Sequence, residues 1–255
     1  MKRFLTLCFS LCICTLLFSQ ENKEKSTTEY DKAILITPTY TLQIPVGTMA
    51  SRFGINSNFG MAIDYKFGKN WQIGLEGNFL FGNKVKESNH FSNLLTANNA
   101  LINSDGGAEE LNLSERGTMV RLMAGKSFPF KPSQPNGGLL IKFGAGYMMH
   151  KILIDVEEAK TPQLSKEYQT GYDRLSHGFT MSQFIGIMKL ERGKYVNLYL
   201  GLELVEGFTK NARNWDFYEG EKLNEARFDF LIGIKLGWMI PVFTGKSTGS
   251  EYYYY

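Results

Sequence analysis

Beyond its first 19 residues, the sequence contains no cysteine, has almost no net charge and lacks any apolar run long enough for a membrane-spanning helix. The three cysteines of the 255-residue chain are Cys8, Cys12 and Cys14, and its 28 basic residues are nearly balanced by 25 acidic ones. Downstream of residue 19, this composition excludes a disulfide scaffold, a thiol enzyme and a cysteine-based zinc site. It also offers no electrostatic basis for binding nucleic acid.

The first 19 residues have the three-part pattern of a secretory signal peptide. The cationic start Met1-Lys2-Arg3 precedes an apolar run over 4–18, and polar residues follow from Gln20. This run is too short to span a membrane comfortably as a helix. We expect cleavage after Ser19, which removes every cysteine and lowers the net charge to about +1. Residues 20–32 are then expected to form a periplasmic N-terminal segment.

Apolar side chains in the remaining chain recur at every second position. From Trp71 to Phe81 the odd-numbered residues are apolar or glycine, whereas from Gln72 to Asn78 the even-numbered residues are polar or glycine. Successive side chains of a strand point to opposite faces, so this pattern predicts a strand with one apolar and one polar face. Seven further segments show the pattern with varying regularity: 34–44, 58–67, 120–125, 139–150, 178–190, 196–204 and 228–240. The outward face of 178–190 cannot be chosen from the pattern.

The connections between these segments alternate in length. Short ones fall at 68–70, 129–137 and 191–194, and long polar ones at 45–57, 82–117, 155–177 and 207–226. This arrangement predicts an all-β, eight-stranded antiparallel transmembrane β-barrel over 33–243, with long extracellular loops, short periplasmic turns and both termini in the periplasm. A soluble β-sandwich or lipocalin-like barrel also alternates. It is disfavoured because the polar face is rich in glycine and poor in the lysine and glutamate of a solvated surface.

Charged residues of both signs fall on the predicted inward face. They are Asp64, Glu76, Glu203 and Asp229, with Lys66, Arg121, Lys142 and Lys235. An eight-stranded barrel has room only for side chains, and unpaired charges there would be costly. We therefore predict a network of ion pairs that plugs the interior. Such a plug argues against a general porin and leaves a narrow pore as an alternative.

Two histidines near the predicted extracellular rim raise the possibility of catalysis. His150 ends the fifth predicted strand and His177 opens the sixth, with Asp173 and Ser176 close to His177 in sequence. An acid, a histidine and a serine at that rim would suit a lipid-modifying enzyme. No G-x-S-x-G motif is present, and ordinary hydrogen bonding explains such residues equally well. We predict no catalytic residue, no metal site and no cofactor, with the enzyme retained as an alternative.

Aromatic and arginine residues in the loops and tail are candidates for contacts with a partner. Arg52 and Phe53 lie in the first long loop, and Tyr172 and Arg174 lie in the third. Arginine and tyrosine are favoured at interfaces, although these arginines could equally pair with loop carboxylates. The chain closes with Tyr252, Tyr253, Tyr254 and Tyr255 in a twelve-residue tail, 244–255, too short for a peptidoglycan-binding domain. This periplasmic tail is either a short, ill-ordered extension or an aromatic peptide that docks on a periplasmic or neighbouring membrane component, for instance by adding a strand.

The sequence resembles small outer-membrane β-barrels of the Bacteroidota. The resemblance rests on Phe18-Ser19-Gln20-Glu21 at the end of the signal, the eight alternating segments and the final strand Phe230–Trp238. It implies an OmpA/OmpX-like barrel, although the short tail departs from OmpA and the long loops depart from OmpX. It further implies outer-membrane lipid and other envelope proteins as partners. The implied role is an accessory subunit of a machine such as the β-barrel assembly machinery or the type IX secretion system.

Overall fold

A computed structural model describes residues 30–98, 100–157, 159–223 and 226–244. The predicted signal peptide and the tail from 245 onward, including its four tyrosines, lie outside the described residues. The long strands are β1 Ala33–Gly47, β2 Asn56–Phe67, β3 Trp71–Gly82, β4 Asn112–Phe128, β5 Gly138–Asp155, β6 Ser176–Lys189, β7 Leu198–Asn211 and β8 Ala226–Trp238. A short strand, Ile240–Phe243, continues β8 past Met239 in the same register against β1.

The eight strands close into a ring because β8 pairs with β1. The register partners can be followed from strand to strand around the ring. Starting from Ala33 on β1, the row of inward-facing partners leads back to β1 at Gln43, ten residues further along. The row passes through Lys66, Gln72, Gly125, Lys142, Phe184, Glu203 and Gly233. A shift of ten residues over eight strands tilts the strands by about 40° from the barrel axis.

The outer wall of the barrel is apolar and its interior is polar. Ile63, Leu122 and Ile234 are exposed on the wall, whereas Arg121 and Lys235 are buried inside. A soluble barrel has the opposite arrangement, so this distribution defines a membrane-spanning β-barrel. The predicted fold class, an eight-stranded antiparallel transmembrane barrel, is confirmed.

Aromatic side chains form rows at both ends of this wall. Toward the long loops, Tyr147, Phe179, Phe208 and Phe228 are successive register partners on β5 to β8. Toward the short turns, exposed aromatic residues include Trp71 and Trp238. Phe228 and Trp238 are ten residues apart on β8, which is about 25 Å along the axis at this tilt. That height matches the apolar band of a membrane barrel.

The structure fixes the outward face of β6, which the sequence left open. Phe179, Met181, Ile185 and Ile187 face outward. The pattern is obscured because Phe184 and Met188 are apolar yet buried inside, near the short turns, where they pack with Tyr199 and Leu140. Gln183 is conversely polar and on the outward parity.

The strands extend further toward the long loops than predicted. Residues 112–117, assigned from sequence to a loop, belong to β4, and β7 continues to Asn211. These segments carry polar side chains on both faces, so the sequence alternation ends before the backbone hydrogen bonding does. The four long connections are correspondingly shorter than predicted: 48–55, 83–111, 156–175 and 212–225.

The connections contain short helices and one hairpin. The helices are α1 Thr48–Arg52 and α2 Lys166–Gln169. The connections also contain two 3₁₀ turns, Ser88–Phe91 and Pro162–Leu164, and a hairpin of Leu101–Ile102 with Ala108–Glu109. In the described part of the chain, no helix is long and apolar enough to cross a membrane. The tight turn between β2 and β3 places Gly68 and Asn70 at positive φ, a conformation that glycine and asparagine tolerate best.

Candidate functional site

Four buried side chains from four strands form a central charge cluster inside the barrel. Its members are Glu76, Arg121, Glu203 and Lys235. Nη2 of Arg121 donates to Oε1 of Glu76 at 2.7 Å and to Oε1 of Glu203 at 3.0 Å. Nζ of Lys235 donates to the same two oxygens, at 2.5 and 2.8 Å. Two cations and two carboxylates therefore balance within hydrogen-bond reach, as a buried ionic group requires.

A second ion pair lies nearby on the inner wall. Nζ of Lys142 donates to both carboxylate oxygens of Asp64, each at 2.8 Å. Two glycines leave the space for this pair. A Cβ added at Gly125 would lie 2.6 Å from Cγ of Lys142, and one at Gly74 would lie 2.5 Å from Oδ1 of Asp64.

The remaining two predicted network residues, Lys66 and Asp229, lie apart from these groups. Lys66 donates to the carbonyl of Asp31 and to Oδ1 of Asn136, both at 2.8 Å, near the short turns. Asp229 lies toward the long loops, where Oδ2 is 3.0 Å from Nε2 of His150. All eight predicted residues are buried inside, but they form separate groups because their positions are spread along the barrel.

One side of the interior carries neutral polar groups without protein partners. These are the side chains of Thr37, Thr39, Thr41, Gln43 and Asn58 on β1 and β2, here called the polar stripe. None of them has a side-chain hydrogen bond to the described part of the protein. Buried polar groups of this kind are ordinarily hydrated, so we expect ordered water along the stripe.

The long connections fold together over the barrel end and form a loop cap, comprising 48–55, 83–98, 100–111, 156–157, 159–175 and 212–223. Its buried apolar members are Met49, Phe53, Phe91, Leu101, Leu164 and Tyr172. They pack on Leu80, Met119, Met148, Val205 and Leu231 at the top of the lumen. Three leucines of the second long loop, Leu94, Leu95 and Leu111, pack against this cluster, as does Leu113 at the start of β4.

Arg174 joins three of the four capping loops. Its guanidinium contacts Glu87 of the second loop, and it donates to Asp216 at 3.2 Å and Glu219 at 3.0 Å in the fourth. Its backbone has φ +46°, which is strained for a residue other than glycine. The ion pairs therefore hold a conformation that the local sequence does not favour.

Arg52 ties the first loop to the same centre. Nε of Arg52 donates to Oε2 of Glu87 at 3.0 Å, and Nη1 donates to the carbonyl of Arg174 at 3.2 Å. Burial, together with the neighbouring Arg227 guanidinium, lowers the pKa of Arg52 to about 10, so it stays charged at neutral pH. The four loop residues predicted to contact a partner, Arg52, Phe53, Tyr172 and Arg174, are buried within the cap. Their side chains hold the loops together, because the carboxylates that satisfy the two arginines come from the neighbouring loops.

His90 is a histidine buried at the core of the cap. Its ring packs edge-on against Phe91, Tyr172 and Tyr218, and Nε2 lies 3.7 Å from Oδ2 of Asp216. Burial lowers the pKa of His90, and the charge of Arg174 lowers it further against the opposing effect of Asp216. The neutral imidazole is therefore the form that fits this site.

The two histidines proposed for a catalytic rim face opposite sides of the wall. His150 is buried inside beneath Phe53, and its Nδ1 has no hydrogen-bond partner among the residues described. Ser176 is its register neighbour, but the serine hydroxyl bonds to the carbonyl of Arg174. His177 lies on the outer face against the phenol of Tyr147. Within the described ranges, neither His150 nor His177 hydrogen-bonds to a serine hydroxyl.

Two polar residues interrupt the lipid-facing wall and are called the wall polar pair. Gln183 on β6 and Glu206 on β7 have outward parity and are partly exposed, and their register partners are Leu204 and Met181. Among the described residues, neither side chain has a hydrogen bond or an ion pair. The sequence reasoning missed Glu206 because it ended this strand at Leu204. Continuing the parity through Phe208 and Lys210 would have placed Glu206 on the outer face.

A cleft of about 470 Å³ opens on the outer wall next to this pair, toward the long loops. We call it the outer-wall cleft. It is lined by Tyr147, His177, Gly178, Phe179, Phe208, Thr209, Lys210, Ala226 and Arg227. The part of the chain that the structure covers contains no cluster of histidine, cysteine, aspartate or glutamate suited to a metal ion.

Comparison with known proteins gives similarity in solved structures only. No family model matches the chain, and no curated protein matches it. Neisserial surface protein A aligns with a TM-score of 0.42 and 8% identity, over 80% of this chain and 96% of its own. Ail, the attachment invasion locus protein of Yersinia pestis, aligns with a TM-score of 0.38 and 10% identity, over 83% of this chain and 100% of its own. The outer membrane protein OprG from Pseudomonas aeruginosa aligns with a TM-score of 0.38 and 10% identity, over 84% of this chain and 99% of its own.

Proposed function

We propose that this chain is a non-enzymatic outer-membrane β-barrel that acts as a structural accessory subunit of a multiprotein envelope complex. The β-barrel assembly machinery and the type IX secretion system are the candidate complexes. In this proposal the short turns and both termini face the periplasm, and the loop cap lies on the cell surface. The signal-like start of the sequence and the apolar outer wall support an outer-membrane location.

The wall polar pair is the observation that carries the accessory role. Glu206 lies two residues from Phe208 on β7, about 5 Å inside the aromatic row, and Gln183 lies four residues from Phe179 on β6, about 10 Å inside. Hydrocarbon can satisfy neither a carboxylate nor an amide. Polar groups within a membrane commonly mark functional contacts. A second membrane-spanning protein with a hydrogen-bond donor or a cation at this depth would satisfy both residues.

Affinity purification in mild detergent from native membranes tests this role. The wild-type barrel is expected to retain a stoichiometric membrane partner, and the variant Gln183→Leu/Glu206→Leu is expected to lose it. Thr118→Leu is the control for loss of an outward polar side chain, because Thr118 lies on β4, away from the pair and on the register row of His177. A wild-type barrel that purifies alone would contradict the accessory role.

Selective labelling of lysines tests the orientation. Lys222 is exposed in the cap, and Lys131 is exposed in the short turn between β4 and β5. A membrane-impermeant amine reagent should label Lys222 in intact cells and Lys131 only after the outer membrane is permeabilised. The reverse order would contradict the proposed topology.

The polar stripe favours a second candidate function, a narrow water path. The central charge cluster obstructs the lumen and the loop cap covers its end, so we expect water to pass and larger solutes to be retained. Stopped-flow swelling of liposomes with and without the barrel measures the permeability to water and to larger solutes. Uptake of sugars graded by size would instead indicate an open porin.

A further inference from the structure

We infer that the outer-wall cleft binds the phosphate-bearing headgroup of a membrane lipid. Its floor is formed by Tyr147, Phe179 and Phe208, which are direct register partners on three adjacent strands. Rings in this row lie at the edge of the apolar band, where acyl chains meet headgroups. The inference rests on the barrel spanning a membrane and is independent of the wall polar pair.

A row of basic side chains lies just beyond this aromatic floor. His177 and Lys210 are register partners, and each is two residues from a floor residue on its own strand. Two residues correspond to about 5 Å along the axis. This is the depth at which the phosphate of a lipid sits when its chains lie along the wall. Lys210 is exposed and forms no ion pair with any residue that the structure describes.

The cleft fixes the orientation of its polar groups before any lipid arrives. The Tyr147 phenol contacts Nδ1 of His177, so Nε2 of the imidazole stays available. Arg227 closes the far side, with Nη2 donating to the carbonyl of Thr48 at 3.0 Å. Its charge is partly offset by Asp229, whose Oδ1 is 3.9 Å from Nε. Lys210 is therefore the principal cation for a phosphate.

Shape and charge agree on the class of ligand. The volume of about 470 Å³ falls in the range of small-molecule sites. The small side chain of Ala226, the register partner of Lys210, leaves the cleft open beside the ammonium group. Glu206 is on the same face of β7 but four residues from Lys210, about 13 Å along the strand. An anionic headgroup with apolar chains matches cations above an aromatic floor.

Lipid binding to the purified barrel in detergent micelles tests the inference. The probes are phosphatidylglycerol, a phosphate-free galactolipid with the same chains, and inorganic phosphate, each measured by native mass spectrometry and by titration. We expect one retained phosphatidylglycerol per barrel and weak binding of the other two probes. Lys210→Gln should weaken phosphatidylglycerol binding about fivefold, the effect of one basic residue at a membrane surface. Ala226→Trp should abolish binding by filling the cleft while leaving every charge in place.

Matched variants separate this result from the proposed function. Lys189→Gln removes an outward lysine at the opposite end of β6 and should leave the affinity unchanged. Gln183→Leu/Glu206→Leu, which tests the accessory role, should not weaken lipid binding. Equal affinity in wild type, Lys210→Gln and Ala226→Trp would overturn the inference, as would equal binding of the galactolipid. Inorganic phosphate bound as tightly as the lipid would also overturn it in favour of a soluble anion.

Discussion

Arg121 on β4 and Glu203 on β7 meet across the barrel interior, with Nη2 of the arginine 3.0 Å from Oε1 of the glutamate. Strands β5 and β6 separate them in the ring, so the contact braces opposite parts of the wall. Glu76 and Lys235 bind into the same centre and make it neutral. The Arg121–Glu76 contact follows the pairing of adjacent strands, whereas the Arg121–Glu203 contact adds a tie across the lumen that strand pairing does not provide.

Replacing one member of the central charge cluster should destabilise the barrel strongly. Arg121→Met leaves two carboxylates against one ammonium group, and breaking a buried ion pair in this way costs about 3–5 kcal/mol. Urea unfolding in lipid vesicles, followed by tryptophan fluorescence, measures the loss. Arg116→Met is the control, because Arg116 has outward parity on the same strand.

Removing an opposite pair from the cluster should be far milder than removing one charge. Arg121→Leu/Glu203→Leu leaves Lys235 beside Glu76, a neutral pair at 2.5 Å. Buried ion pairs can be exchanged for apolar residues with little loss. We expect the double variant to unfold at a higher urea concentration than Arg121→Met. A double variant less stable than the single one would contradict this account of the cluster.

Removing the Arg174 side chain should loosen the loop cap without unfolding the barrel. Arg174→Ala leaves Asp216 buried without its cation, and we expect a local loss of about 2–3 kcal/mol. Hydrogen exchange of cap amides should accelerate while β4 and β5 stay protected. Lys160→Ala breaks only an exposed ion pair with Glu157 and should leave local stability nearly unchanged. Equal exchange in wild type and Arg174→Ala would show that the apolar cluster alone holds the cap.

Acidification should weaken the cap through His90. Because the pKa of His90 is lowered in the folded cap, the open cap binds a proton more readily than the closed one. Cap stability is therefore complete above the ordinary histidine pKa near 6.5 and declines as the pH falls below it. Hydrogen exchange of the cap measured between pH 8 and 5 tests the direction. His90→Gln should flatten the dependence, and His177→Gln should preserve it.

A side chain at Gly125 should disrupt the pair of Lys142 and Asp64. A Cβ there would lie 2.5 Å from the carbonyl of Ile141 and 2.6 Å from Cγ of Lys142, so the neighbours cannot yield without moving backbone. Gly125→Val is expected to lower the free energy of unfolding by about 1–3 kcal/mol. Gly77→Val is the control, since a Cβ at Gly77 meets nothing within 4 Å. Similar losses in both variants would indicate a general effect of glycine removal.

The barrel was predictable from sequence because its two faces meet different solvents. Lipid requires apolar side chains at every second residue, so Trp71 and Ile234 revealed their outward direction locally. The inward charges were found by the same parity. Their partners were not, because Arg121 and Glu203 are 82 residues apart and no local pattern encodes a contact across the lumen.

The loop cap lay beyond what local pattern could reveal. Glu87 and Arg174 lie in loops without periodicity, and their contact depends on how three connections fold over one another. The arginines stood out in the sequence, but their buried positions did not. The outward position of Glu206 was not predicted for a related reason. A carboxylate on the lipid side breaks the apolar alternation by which a membrane strand is recognised.

The hairpin of Leu101–Ile102 and Ala108–Glu109 turns at Gly106, which is exposed and has no neighbour within 4 Å of its Cβ position. The ties of the cap run through Arg52, Glu87, Arg174 and Asp216 and bypass this tip. A foreign peptide inserted after Gly106 would leave all of those ties in place. The barrel thus offers a graft point at which antigens or enzyme tags can be displayed while the remaining loops keep their native shape.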